Sequence, residues 1–263
     1  MKHIRVIIGK EWAEILRNKL VLYVIIFVPL AMTAIPVVML YVMSTVPTDP
    51  HDLEEMGRML QNPIFQGMNP TEAIQSLMAS NMLILFLMMP LMVPVTIAAY
   101  SIVGEKISRS LEPLLATPVT TAQLLAGKGL AAALPGIITA WVSYGVFLIF
   151  ARFFSVSDRV FSIFVNPMWL VAMFVLAPLL TIMAVAVGII VSSRVSDPRA
   201  AEQLGALIIL PLMVLFFGSM TGFIMLNSAT FWLSSAIALL LDIGIGYVAV
   251  VLFQRETILT CWK

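Results

Sequence analysis

Residues 20–43 read LVLYVIIFVPLAMTAIPVVMLYVM, a run of 24 residues without a charged side chain. A helix rises 1.5 Å per residue, so about 20 mostly apolar residues cross a hydrocarbon core of about 30 Å. The run is too long for the apolar region of a cleavable signal peptide, and no clear small-x-small cleavage site follows it. We therefore interpret it as a membrane span, and a signal peptide is the less favoured alternative.

Five further apolar stretches resemble the first in length and character. They are too long and too continuous for the roughly 10-residue alternating strands of a membrane barrel. Backbone groups in lipid must also satisfy one another, which favours helices. The sequence therefore predicts an all-α integral membrane protein with six spans, at residues 20–43, 81–103, 130–151, 167–191, 204–226 and 231–253.

The overall composition agrees with a membrane protein and narrows the function classes. Of the 263 residues, 61% are hydrophobic and 11% are charged, against about half and about a quarter in soluble domains. A net charge of +1 gives no basic field for nucleic acid. The single cysteine, Cys261, and the two histidines, His3 and His51, lie far apart without an HExxH or CxxC companion, which argues against metal catalysis.

The positions of lysine and arginine predict the orientation, since such residues accumulate in cytoplasmic loops. With the N-terminus inside, twelve of the fifteen basic residues fall on the inner side, and only Arg58, Arg152 and Arg159 fall outside. We therefore expect an even number of spans, both termini in the cytoplasm, and a place in the plasma (cell inner) membrane.

Residues 1–19 predict an amphipathic helix before the first span. Six apolar residues share one side of a helical wheel, and Glu11 is an exception on that side. We interpret the segment as an interfacial helix on the inner leaflet; the alternative is a basic flank that only fixes topology. The apolar set is Ile4, Ile7, Ile8, Trp12, Ile15 and Leu16.

The only long outer loop covers residues 44–80 and carries most of the acidic residues outside the membrane. Within it, residues 53–60 show helical apolar spacing, and Asn69-Pro70 opens a second helical run through residue 77. We expect two short amphipathic helices at the outer surface, and a simple structured loop is an equal alternative.

The inner loop at residues 104–128 reads GEKISRSLEPLLATPVTTAQLLAGK. Pro113 can occupy a first helical turn, and Pro118 would end that helix early. Thr120 and Gln123 have capping-box spacing, which starts the helix of the third span. A short cytoplasmic helix results, which is either a plain connector or a docking element for a soluble partner. The next inner loop has Asp197 as an N-cap before Pro198.

The loop sequence resembles the ABC-2 family of transporter permeases, in which a GEKE-RGTLEPLL-TPV pattern precedes the third span. SSRVSDPRAAEQLG and LFQRETILTCWK are also similar to stretches of such permeases. The resemblance implies that the short helix is a coupling helix seated in an ATPase subunit and that the N-terminal helix is the elbow. The residues it implies as the ATPase contact are Glu105, Lys106, Arg109, Leu111, Glu112, Pro113, Leu115, Thr117 and Pro118.

One departure and one missing motif qualify the resemblance. Ser108-Arg109-Ser110 stands where the family often shows Arg-Gly-Thr. The nearest match to a P-loop, Gly127-Lys128-Gly129, lacks the upstream glycine and the hydroxyl residue that phosphate and magnesium need. We therefore expect no cofactor on this chain, which is not itself an enzyme, with ATP and Mg held by a partner ATPase.

Two sequence features inside the predicted spans indicate functional or packing roles. Asp242 lies near the centre of the last span, where a charge costs at least about 2.5 kcal/mol. It is either a substrate- or proton-sensitive position or a buried carboxyl bonded to a Ser, Thr or Tyr. Gly218 and Gly222 form a GxxxG, which predicts close helix packing within a subunit, or a dimer seam.

These observations predict a permease subunit of an ATP-driven exporter, with residues 1–19 as the interfacial helix and 20–263 as the six-helix domain. The implied partners are an ABC ATPase, a second permease copy as a homodimer, and membrane lipid. The alternative is a non-transporting membrane partner of an ATPase that remodels or assembles another envelope protein; the absence of a large outer domain favours transport. An intramembrane enzyme lacks a paired His, Cys or carboxylate constellation.

Overall fold

The computed structural model describes residues 2–45, 67–108 and 120–252, and this part of the chain is helical without a strand. Two kinds of interruption occur: short 3₁₀ turns and one π-helical segment. In chain order the elements are α1 (Lys2–Arg17), α2 (Lys19–Thr45), α3 (Pro70–Leu83), a 3₁₀ turn (Ile84–Met88), α4 (Met89–Ile107), α5 (Thr121–Phe154), α6 (Asp158–Phe164), α7 (Pro167–Val171), the π-helical segment (Ala172–Leu176), α8 (Ala177–Arg194), α9 (Pro198–Ala206), a 3₁₀ turn (Leu207–Ile209), α10 (Leu210–Met220) and α11 (Ser228–Leu252).

The prediction of an all-α membrane protein with six spans is confirmed. Within the described residues, six helical stretches are long and apolar enough to cross a membrane. Each covers the middle of a predicted span, and all six begin earlier than predicted. Their bounds are Lys19–Thr45, Thr71–Ile107, Gln123–Phe154, Asp158–Arg194, Pro198–Met220 and Ser228–Ala249.

Two local sequence signals for helix starts are also confirmed. The Gln123 backbone N–H donates to Thr120 Oγ1 at 3.2 Å, and the Thr120 N–H donates to Gln123 Oε1 at 3.2 Å, which completes the capping box. The Ala200 N–H donates to Asp197 Oδ2 at 3.2 Å ahead of α9. Such bonds satisfy backbone donors that the first helical turn leaves without a partner.

The second predicted surface helix belongs to the second span instead. The helix that begins at Pro70 continues through the 3₁₀ turn into α4, so the outer loop ends earlier than residue 80. Ala73, Ile74 and Leu77 are buried because their apolar face packs inside the bundle. The first predicted surface helix, at residues 53–60, lies outside the described residues.

The second span is the central helix of the bundle. Within its apolar 18-residue stretch, 89% of the span is buried, against 17% for the corresponding stretches of the fifth and sixth spans. Glycines let neighbouring helices approach it: a Cβ added at Gly136 would lie 2.6 Å from Pro94 Cγ, and one at Gly188 would lie 2.8 Å from Ala98 Cβ. The third and fourth spans therefore press on the same stretch of the second.

Side-chain hydrogen bonds fasten the fifth span to this central helix at two levels. Ser219 Oγ donates to Asn81 Oδ1 at 2.5 Å, and Thr96 Oγ1 donates to Glu202 Oε1 at 2.7 Å. Buried polar groups in a bilayer need such partners. These four residues therefore set how the second and fifth spans align.

The GxxxG of the fifth span does not act as a helix-packing motif within the described residues. Helix α10 ends at Met220, and Gly222 adopts a φ of +74°, which favours glycine. A Cβ on Gly218 would meet Ile224 Cδ1 at 2.5 Å. Both glycines therefore shape the turn that ends the helix, a role that helical spacing alone conceals.

Gln75 clamps the end of the bundle opposite α1. Its Nε2 donates to the Phe154 carbonyl at 3.0 Å and to the Leu40 carbonyl at 3.4 Å, and its Oε1 accepts the Val156 N–H at 2.9 Å. The side chain is fully buried. One amide therefore holds the ends of the first and third spans to the second.

We expect a Gln75→Leu variant to lose about 1–3 kcal/mol of unfolding free energy, because backbone groups are left buried without partners. Thermal unfolding in detergent, followed by circular dichroism, measures the loss. Ser44→Ala is the control, since that hydroxyl is exposed and bonds only within its own helix, and its effect should stay within about 0.5 kcal/mol. Equal stability of the two variants would contradict the clamp.

Candidate functional site: a buried charge cluster under helix α1

Helix α1 packs against the bundle with one face. Ile7, Glu11 and Ile15 are buried and recur every four residues, while Trp12 and Leu16 are exposed. Gly127 of α5 makes this contact possible, because a Cβ there would lie 2.7 Å from Ile7 Cγ2. Trp12 Nε1 also donates to the Ala131 carbonyl at 3.2 Å. The predicted exception, Glu11, thus lies at the centre of the contact face.

Glu11 is bound on both carboxylate oxygens. Lys128 Nζ of α5 donates to Glu11 Oε1 at 2.7 Å, and Ser101 Oγ of α4 donates to Glu11 Oε2 at 2.6 Å. Lys128 also donates to Ser101 Oγ at 2.7 Å. A triangle of three side chains therefore joins α1, α4 and α5.

Glu105 extends the triangle into a larger cluster. Its Oε2 lies 2.8 Å from Lys128 Nζ, and its Oε1 accepts a hydrogen bond from Lys10. Lys10 lies 3.2 Å from Glu14 one helical turn away. We call Lys10, Glu11, Glu14, Ser101, Glu105 and Lys128 the α1 charge cluster.

The charges stabilise one another because water reaches little of them. The side chains of Glu11, Glu105 and Lys128 are at most 5% exposed. A buried ion is costly unless its partner stays in place, so loss of Lys128 would leave two buried carboxylates without the ammonium group that they share. The cluster therefore holds α1 and the adjoining ends of the second and third spans in one arrangement.

Lys10 stays protonated within this cluster. Burial lowers the pKa of its ammonium group, but the hydrogen bond to Glu105 and the charges of Glu105, Glu11 and Glu14 outweigh burial and raise the pKa above its usual value. Its contribution to stability is therefore complete at neutral pH and is lost only as the pH rises through that raised value.

The cluster contains three carboxylates that could in principle bind a metal ion. One oxygen each of Glu11, Glu14 and Glu105 lies within 4.8 Å of the others. The ammonium groups of Lys10 and Lys128 already lie against these oxygens. The arrangement therefore suits mechanical fastening of helices.

The structure describes two members of the predicted ATPase contact. Glu105 belongs to the cluster, and Lys106 Nζ donates to the carbonyls of Val195 at 3.3 Å and Ser193 at 3.5 Å, at the end of α8. The other predicted members lie outside the described residues: Arg109, Leu111, Glu112, Pro113, Leu115, Thr117 and Pro118. The chain enters and leaves that segment at Ser108 and Thr120, on helices that the cluster joins.

Sequence patterns do not identify Glu11, Ser101 and Lys128 as members of one site. Lys128 draws attention there only as a poor P-loop match, yet it lies inside α5 with Gly127 facing α1. A signal does exist: Glu11 breaks an apolar face, and Lys128 follows a glycine at the start of a span. Opposite charges on two otherwise apolar faces indicate a buried pair, but not which charges meet.

Asp242 lies on the packed face of α11 and is 8% exposed. The alternative of a carboxyl bonded to a serine, threonine or tyrosine finds no support among the described residues, because both carboxylate oxygens are buried without a hydrogen-bond partner there. Its setting thus differs from that of Glu11, which binds two donors.

Comparison with known proteins assigns the family. No curated protein matches the chain. The family model described as ABC-2 family transporter protein matches residues 5–243. That range runs from α1 to just past Asp242, and so includes the whole α1 charge cluster, the first five spans and most of the sixth. A match over this much of the sequence shows that the chain belongs to the ABC-2 family of transporter proteins.

Proposed function

We propose that the chain is the permease subunit of an ATP-driven exporter, which moves a substrate outward while a separate ABC ATPase subunit binds and hydrolyses ATP. The family supports a membrane subunit of an ABC transporter. The single structural observation behind the finer proposal is the α1 charge cluster, which fastens α1 to α4 and α5, the two helices that precede and follow the segment resembling a coupling helix.

The mechanism follows from this fastening. A force applied by the ATPase to residues 109–119 would reach Ser108 and Thr120 first. Buried ion pairs resist separation of α1, α4 and α5, so the three helix ends move together. The second span is the most buried helix, and its displacement shifts the third, fourth and fifth spans that contact it. A small motion at the docking loop thereby becomes a rearrangement of the bundle.

Assembly and orientation are part of the same proposal. The chain works as a homodimer in the plasma membrane with both termini in the cytoplasm, and the bias of lysine and arginine supports this placement of the termini. The fifth and sixth spans have large exposed apolar surfaces, which lipid or a second permease copy covers. The alternative is an ATPase-driven membrane partner that remodels another envelope protein. It would use the same coupling to the ATPase, but the motion would act on that protein and not on a transported substrate.

Co-purification with candidate ABC ATPases from the same genome tests the docking. We expect a Glu112→Arg, Leu115→Asp double variant to lose the complex, because it reverses one charge and replaces an apolar side chain with a carboxylate among the residues proposed to contact the ATPase. Complex yield and ATP hydrolysis are measured together. The control, Ser162→Arg with Val156→Asp, introduces a positive charge and a carboxylate on exposed residues at the opposite end and should leave the complex intact.

Both double variants must elute as monodisperse protein with the thermal midpoint of the wild type. An intact and active complex from the loop variant would overturn the proposed contact. Loss of the complex in both variants would place the contact elsewhere. Transport in vesicles, with the wild-type complex and ATP, then separates export from remodelling.

A further inference from the structure

The contact face of α11 contains one acidic residue. Buried positions on this helix recur at intervals of three, four and seven, as expected for one face of a helix. The adjacent Leu241 and Ile243 are exposed, so the Asp242 side chain points into the bundle. The buried positions are Phe231, Ser235, Ala238, Asp242 and Ala249.

The helices against this face offer Asp242 no counter-ion among the described residues. Helix α11 packs chiefly against α7, the π-helical segment and α8. Their only charged side chain is Arg194, the last residue of α8, and it makes no ion pair with Asp242 within the described part. The other titratable group on α11 is Tyr247, which is 73% exposed. Among the described residues, the Asp242 carboxyl is therefore buried without a counter-ion on the helices that pack chiefly against it.

The cost of an unpaired charge in this setting favours the neutral form of the carboxyl. Ionised, it would be an unpaired charge inside a membrane protein, which burial disfavours strongly. As a neutral acid it still leaves one hydrogen-bond donor and its acceptors without a partner among the described residues. A leucine at this position would therefore pack at lower cost. Ionisable groups placed in spans at such a cost mark proton or ion pathways.

We propose that Asp242 is a proton-binding site within the membrane, whose proton is exchanged with water once in each transport cycle. On release, the carboxyl O–H bond breaks, the proton passes to a water molecule, and the electron pair stays on the carboxylate; the reverse step reloads it. The π-helical segment Ala172–Leu176 packs against α11. Such segments are rare in proteins but are often found at functional sites, and a change of helical register at Ala172–Leu176 would rotate α8, which packs against α11.

Chemical labelling tests the resting state on the chain alone. Dicyclohexylcarbodiimide, a lipophilic reagent, adds to protonated carboxyls in apolar surroundings, and peptide mass spectrometry locates the adduct. We expect labelling of Asp242 in purified protein and none at that peptide in Asp242→Asn. Asp158, whose side chain is 86% exposed, is the internal control and should react only with a water-soluble carbodiimide. Absence of lipophilic labelling at Asp242 would overturn the site.

A second arm tests exchange during the cycle and rests on the proposed function. In the complex with the ATPase, we expect the labelling rate of Asp242 to differ severalfold between the nucleotide-free and the vanadate-trapped state, because water reaches the carboxyl in one of them. Equal rates would overturn proton exchange. Failure to form the complex would contradict the proposed function, whereas the labelling of the isolated chain would still decide the proton site.

A stability measurement separates a proton site from a structural carboxyl. Asp242→Leu should raise the thermal midpoint of the chain, since it removes a buried polar group without partners, and it should lower ATP-driven transport by the complex. Unchanged transport in Asp242→Leu would overturn the proposal.

Discussion

A Lys128→Met variant should unfold with about 3–5 kcal/mol less free energy than the wild type, the usual cost of leaving buried charges without their partner. Methionine preserves the length of the side chain but removes the ammonium group that lies 2.7 Å from Glu11 and 2.8 Å from Glu105. Denaturant-induced unfolding in detergent measures the change.

Two further variants identify the cause. Lys10→Met removes a charge from the same cluster, but the Lys10 side chain is 40% exposed, so water replaces part of the interaction and the loss should be much smaller. A triple variant with Glu11→Gln, Glu105→Gln and Lys128→Met leaves no uncompensated charge and should recover part of the stability. If Lys128→Met and Lys10→Met cost the same, the charges of the cluster are not buried together.

Alanine at Gly136 or Gly188 should leave the protein about 1–3 kcal/mol less stable than alanine at Gly145, the range typical of overpacking. The atoms that the new methyl groups would meet belong to the ring of Pro94 and to Ala98, which cannot rotate away. The backbones must separate instead. Thermal unfolding of the three single variants in one detergent gives the comparison.

Gly145 is the matched control because a Cβ there meets nothing within 4 Å. It also lies within α5, so alanine should stabilise that helix by up to about 1 kcal/mol through helix propensity. Opposite signs for Gly145→Ala and Gly188→Ala would establish that contact with the second span, and not the glycine itself, decides the outcome. Stabilisation by all three would refute the close approach.

Short-range sequence signals predict the structural features that depend on residues close together in the chain. The spans follow from apolar length, and the starts of α5 and α9 follow from Thr120 with Gln123 and from Asp197 with Pro198. Each prediction concerns groups within one helical turn, where spacing fixes geometry. The extent of the second span was underestimated because Pro70 can start either a separate surface helix or a longer span, and only burial of the following turns distinguishes the two.

Contacts between distant residues could not be predicted in the same way. The apolar residues in α1 indicated a face for lipid, whereas Ile7 and Ile15 pack on the protein around Glu11. The fifth-span glycines matched a packing motif, yet Gly222 serves a turn. In both cases the helical spacing predicted which residues share a face. Helices distant in the sequence determined what that face packs against.

The length and hydrophobicity of each apolar stretch are enough to predict the six membrane spans, because these two properties decide whether a helix is stable in lipid or in water. The family resemblance was also readable from the loop before the third span. Only the tertiary structure decided that the second span lies at the centre, that Lys128 joins Glu11 across 117 residues, and that Asp242 is buried without a partner among the described residues. Burial and ion pairing depend on which helix faces meet, and packing of the whole chain settles that.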